Sequence, residues 1–145
     1  MTNQQNTTLV KKYFEEVLSK GNLTALDQLV SNDVKLVDAA QAHFKGGLAG
    51  LKHVQAEYIR AFPNKSIKID EIMSTDDNKV VARWTCSGTH KGELHEIGAT
   101  GKGFKISGIS IYHLSNGKIT EIYQTWDRLG LLEQIGVIEP AEALH

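Results

Sequence analysis

Cysteine occurs once in 145 residues, as Cys86, so the chain cannot form an internal disulfide. A lone thiol suits a reducing compartment. Proline is nearly absent, and no stretch of the chain has the composition of a linker, a repeat or a low-complexity tract. Neither sign of charge dominates: 16 Lys and Arg stand against 17 Asp and Glu, a net charge of −1. With no basic stripe to neutralise phosphates, nucleic acid is excluded as an expected partner. No apolar run approaches the ~20 residues that span a bilayer. The segment Met1 to Thr8 is polar and lacks the apolar centre of a secretory leader. These absences together predict a cytoplasmic protein with no membrane partner.

What is present is an ordinary globular composition, 41% hydrophobic and 23% charged. A chain of this size buries roughly 70% of the surface that it exposes when unfolded, so it needs neither disulfide nor structural metal. We expect one domain over residues 1–145, with an ordered core at about 8–137 and a frayed stretch over residues 1–6.

The hydrophobic pattern changes period along the chain. Leu9, Val10, Tyr13, Phe14, Val17 and Leu18 recur at helical spacing, with Thr7 or Thr8 as cap and Gly21 as stop. Leu23, Leu26, Leu29 and Val30 suggest a second short helix, and Val34 to Val37 a short strand. A third helix carries Leu51, Val54, Tyr58, Ile59 and Phe62 on one face and stops at Pro63. From Ser66 onward the period is two. Strands are predicted at Ser66 to Ser74, Val80 to His90, Phe104 to Leu114 and Lys118 to Trp126, the last two joined by an Asn116-Gly117 turn. Asp127 is placed to cap a closing helix with Leu129, Leu132 and Ile135 inward.

Helices first and long strands afterwards mean α+β. Strands of this length must bend to be covered by few helices, and Gly88 and Gly108 sit inside the two longest. Around Gly108 the apolar residues change from even (Phe104, Ile106) to odd (Ile109, Ile111), which predicts an inserted residue. A curved antiparallel sheet wrapped around the N-terminal helices makes a cone-shaped barrel, whose wide end is a natural pocket for a small apolar molecule. The apolar odd faces, with Val81, Ile109, Ile111 and Tyr123, predict a homodimer.

Several stretches carry a family likeness: Gly88-Thr89-His90-Lys91-Gly92-Glu93, Ala99-Thr100-Gly101-Lys102, Asn116-Gly117-Lys118-Ile119, and the run from Trp126 to Gly136. In this order and spacing, from about Leu9 to Gly136, the chain resembles the SnoaL-like polyketide cyclases of the nuclear transport factor two-like superfamily. The resemblance implies a cone-shaped α+β barrel, often dimeric through its outer sheet face. It also implies ring closure by intramolecular aldol condensation with no metal and no organic cofactor. The family's proton-moving aspartate falls on Gln124, and a pocket histidine falls on Ser110. An amide exchanges no proton near neutral pH, so Gln124 is assigned the role of hydrogen-bonding a carbonyl or enolate oxygen.

The residues themselves offer further candidates. Asp127 is the carboxylate nearest that position, with a helix cap as its other reading. Gln124 lies between the apolar Ile122 and Trp126 on one strand face, and its other reading is a core amide satisfied by backbone. His90 ends a strand near the expected mouth and titrates near physiological pH, with an exposed loop histidine as the alternative. His43, His95 and His113 are weaker candidates. Asp38 ends the first strand and either points into the mouth or serves a turn. Tyr13, Tyr58, Tyr112 and Trp126, with Trp84, offer an aromatic lining, or plain core. Cys86 reads as a small buried hydrophobe, and no ligand spacing supports a metal. Two functions follow. One is an enzyme of the cyclase or isomerase type with Asp127, His90 or Asp38 moving a proton. The other is a binding module that holds an apolar ligand unchanged.

Overall fold

The computed structural model describes residues 1–41, 44 and 46–140, so the candidate His43 lies outside the described residues. Helix α1 (Asn3–Lys12) runs on as a wider π-helical stretch, Tyr13–Ser19. A 3₁₀ turn (Leu23–Ala25) and α2 (Leu26–Leu29) lead into β1 (Val30–Val37), followed by α3 (Gly47–Ala61). The rest is sheet, β2 (Ser66–Ser74), β3 (Lys79–Thr89), β4 (Gly103–Ser115) and β5 (Lys118–Trp126), closed by α4 (Arg128–Gln134). The fold is α+β, as the period change predicts.

The five strands form one curved sheet in the order β1-β5-β4-β3-β2. Its edges, β1 and β2, do not pair with each other, so the barrel stays open. Four strands are antiparallel, but β1 runs parallel to β5, which corrects the expectation of a purely antiparallel sheet. Consecutive strands can be joined by short turns, as β4 and β5 are at Asn116-Gly117, where φ is +52° and +76°. A strand that returns from far earlier in the chain is free of that constraint.

The amino terminus is not frayed. The Thr2 hydroxyl accepts from the Gln5 backbone N–H at 3.0 Å while the Gln5 side chain accepts from Thr2 N–H at 2.9 Å, a reciprocal capping box. Asn6 is fully buried and donates from Nδ2 to Asn78 Oδ1 at 2.9 Å, tying α1 to the β2–β3 turn. Sequence polarity alone hid this, because the three residues act through caps and one long-range bond. Val30, expected at a helix end, is the buried first residue of β1.

Sheet β4 also departs from expectation. Its register with β3 runs unbroken from Thr89↔Gly103 to Lys79↔His113, so no residue is inserted at Gly108. The even residues Phe104, Ile106, Ser110, Tyr112 and Leu114 all face inward, and Ile109 and Ile111 are 44% and 37% exposed on the outer face. The apparent slip arose because a serine stands inside and isoleucines stand outside. Gly108 pairs with Trp84 on one side and Trp126 on the other. A β-carbon there would lie 2.4 Å from Cζ2 of the Trp84 ring, so glycine makes the space in which that indole lies across the strand.

The core between sheet and helices includes Val10, Val17, Leu26, Val80, Ile119 and Ile122, with the rings of Tyr13 and Phe14 edge-on to Tyr112 at 5.6 and 5.9 Å. In α4 and at its C-cap the buried residues are Leu131 and Ile135; Ile135 is inward as expected, Leu132 packs half-buried against the core, and Leu129, expected inward, is 56% exposed. No helix of the described residues is long and apolar enough to cross a membrane.

Candidate functional site

A cavity of about 100 Å³ lies between α3 and the inner face of the sheet. Leu51, Val54 and Phe62 from α3 and its end, Ile106 from β4 and Leu131 from α4 make its apolar walls. Period two in β3, β4 and β5 directs Trp84 and Trp126 into it from the row through Gly108, and Ser110 and Gln124 from the next inward row.

Asp38 enters from the other side. Strand β1 ends with Val37 paired to Tyr123, which places Asp38 beside Gln124. Its Oδ2 accepts from Gln124 Nε2 at 2.7 Å and from Trp126 Nε1 at 3.0 Å. Its Oδ1 accepts from the Ala40 backbone N–H at 2.8 Å, which also closes the short turn after β1. Both readings of Asp38 therefore hold at once: one oxygen serves the turn and the other faces the cavity cluster. The carboxylate is 8% exposed.

Across from it, Tyr58 of α3 accepts from Gln41 Nε2 at 2.9 Å, and its ring meets Trp126 edge-on at 6.1 Å. Burial, and after it the Asp38 charge, pushes the Tyr58 phenol up to about 12. At neutral pH it is a protonated donor. Among the described residues its O–H has no acceptor, so that proton is available to a molecule in the cavity. Gln41 was not singled out from the sequence, since it lies in a 3₁₀ turn (Ala39–Gln41) where neither period applies.

The other predicted residues are distributed as follows. Ser110 lines the cavity but spends its hydroxyl on the Trp84 indole N–H at 3.0 Å. Tyr112 lies in the aromatic core behind the cavity, beside Tyr13 and Phe14. His90 is fully buried, neither at the mouth nor exposed. Its Nδ1 lies 3.1 Å from Thr100 Oγ1 and accepts from Thr100 N–H at 3.3 Å, its ring packs on Phe62, and it does not line the cavity. His95 and His113 pair with Glu57 and Glu121 at 3.5 and 3.1 Å. Asp127 is outside the cavity and caps α4, its Oδ1 accepting from Gly130 N–H at 2.8 Å. Replacing it with alanine is expected to lower stability by about 1 kcal/mol, the usual worth of a cap. Urea melts of Asp127→Ala should show this, and a loss under 0.3 kcal/mol would contradict it.

Two further groups line the cavity. Burial pushes the Cys86 thiol up to about 11, so it stays protonated and unreactive. Lys65, immediately before β2, lines the cavity on the side away from Asp38, and burial lowers its pKa from the ordinary lysine value.

The model of the SnoaL-like polyketide cyclases matches residues 8–135. The chain belongs to the SnoaL-like polyketide cyclase family. Among solved structures, TsrD from Streptomyces laurentii is similar with a TM-score of 0.84 and 22% identity, covering 95% of this chain and 99% of its own. A candidate polyketide cyclase from Acidithiobacillus ferrooxidans gives 0.80 and 28%, covering 93% and 97%. IdmH from Streptomyces antibioticus, another candidate polyketide cyclase, gives 0.76 and 24%, covering 91% and 99%. No curated protein matches this chain in sequence. The SnoaL-like fold accounts for the open curved sheet.

Proposed function

We propose that this SnoaL-like protein is an enzyme of the cyclase or isomerase type, in which Asp38 moves a proton next to the carbonyl of a small apolar molecule. The observation that carries the reading is the Asp38 carboxylate, enclosed in the cavity and aimed by two side-chain donors, Gln124 and Trp126. The last strand offers an amide at the position where the family resemblance expects an aspartate. Strand β1 supplies a carboxylate within hydrogen-bond distance of that amide. A carboxylate thus stands beside Gln124, carried by the end of the neighbouring strand.

The chemistry follows from these groups. Asp38 accepts the proton from a carbon next to the carbonyl, and the C–H electron pair passes into an enolate. The Tyr58 O–H donates to the enolate oxygen, held in place by Gln41. Asp38, now protonated, returns the proton to another carbon in an isomerisation. In a ring closure the enolate carbon instead attacks a second carbonyl of the same molecule, and the new alkoxide takes the proton.

The test is hydrogen exchange on α-tetralone, an aryl ketone with slowly exchanging protons beside its carbonyl. In D₂O the protein is expected to raise deuterium incorporation at that carbon by ~10²-fold or more over buffer, the lower range for a positioned acid-base group. One observation favours a second reading, binding without turnover. Three donors occupy the carboxylate, which has about four lone-pair sites, so about one lone pair is left to face a substrate. Tetralone that binds but exchanges at the buffer rate would sink the enzyme and leave the binding module.

A further inference from the structure

Lys65 is the one ammonium among the described residues that lines the cavity, and it has no counter-ion there. No carboxylate of the described residues lies within 4 Å of its nitrogen, whereas Lys20, Lys52 and Lys79 each pair with one. Lys65 is half-buried, so its side chain borders the cavity while keeping contact with water. The group that acts on Lys65 electrically is the Cys86 thiol, which is uncharged at neutral pH and supplies no compensation.

The placement is as informative as the missing partner. Asp38 follows β1 and Lys65 precedes β2, and these are the two edges of the five-stranded sheet. Four strand spacings separate them, roughly 15–20 Å along the sheet and less across its curve. The walls between them are mostly apolar, with Val54, Phe62, Ile106 and Leu131 among them. A molecule lying along this cavity meets Asp38 and Tyr58 at one end and an unpaired ammonium at the other.

We propose that Lys65 binds a carboxylate of the ligand, so that the cavity takes a small apolar carboxylate whose reacting carbonyl lies toward Asp38. This rests on the small-molecule reading of the cavity. An anion beside Lys65 supplies the missing counter-charge at a site partly shielded from water, where attraction exceeds that between fully exposed charges. It also fixes orientation, because the opposite end carries a carboxylate that repels the ligand's own.

The experiment compares 2-naphthoate with its neutral analogue 2-naphthamide by isothermal titration calorimetry at pH 7.5, on the wild-type protein, Lys65→Met and Lys65→Arg. The wild type is expected to bind the carboxylate at least tenfold more tightly than the amide. Lys65→Met should bring the two within twofold, and Lys65→Arg should keep the preference. Lys65→Met should melt as wild type does, since it removes a half-buried ammonium that has no ion-pair partner among the described residues, and this shows that the variant is folded. Equal binding of the two probes by the wild type, or a preference that survives in Lys65→Met, overturns the Lys65 assignment and leaves the cavity reading standing. Binding of neither probe at millimolar concentration counts against the small-molecule cavity itself, and the Lys65 proposal falls with it.

Discussion

Asp38→Asn should lower deuterium exchange on α-tetralone by ~10²- to 10⁴-fold, the range expected on removing a positioned general base. The substitution keeps the shape of the side chain and one carbonyl oxygen. It replaces the group that accepts a proton with an amide that does not. It also turns an amide N–H₂ toward donors that now face a donor: Gln124 Nε2, Trp126 Nε1 or the Ala40 N–H. Some loss of stability is therefore expected alongside the loss of exchange, and a melting curve separates the two. A folded Asp38→Asn protein that exchanges tetralone within threefold of wild type would remove Asp38 from the chemistry. Tyr58→Phe should have a smaller effect, since it removes one donor to the enolate and leaves the base.

Gly92→Ala should cost about 3 kcal/mol, the upper part of the usual range for forcing an extra group into a packed site. A β-carbon on Gly92 would lie 2.0 Å from the Arg60 carbonyl oxygen and 2.9 Å from its carbon. These are backbone atoms at the end of α3 and cannot swing aside as a side-chain tip can. The connection from β3 to β4 docks there through Lys91 N–H and Gly92 N–H, both donating to the Ala61 carbonyl at 3.0 and 3.1 Å. That docking satisfies a carbonyl left over at the helix end. Lifting the connection loses both bonds and loosens Phe62, which lines the cavity. Urea denaturation measures the cost, and a Gly92→Ala protein within 1 kcal/mol of wild type would show that the loop relaxes without penalty.

The long-range pairing of Asp38 with Gln124 explains why the site was only partly legible. Gln124 and Trp126 were readable because period two on β5 puts them on the same face as Ile122, and the structure keeps that face inward. Asp38 was readable only as a turn residue or a mouth residue. Nothing near it in the chain indicated its partners, which lie 86 and 88 residues away. Lys65 looked like any surface lysine beside a strand. His90 was misjudged in both directions because strand ends are usually exposed, and here the 91–102 connection folds back over it through Lys102 and Gly101.

By itself the amino-acid sequence determined the succession of helices and strands, the inner faces of β3 and β5, and the tight turn at Asn116-Gly117. Each of these depends on residues within one turn or a few pleats of each other, and local sterics and periodicity act over that range. Only the tertiary structure decided that β1 lies parallel to β5, that Gly108 makes room for Trp84, and that Asp38 and Lys65 stand at opposite edges of one cavity. Those outcomes depend on which strands become neighbours, and a strand's pattern records which side is buried but not which strand lies beside it.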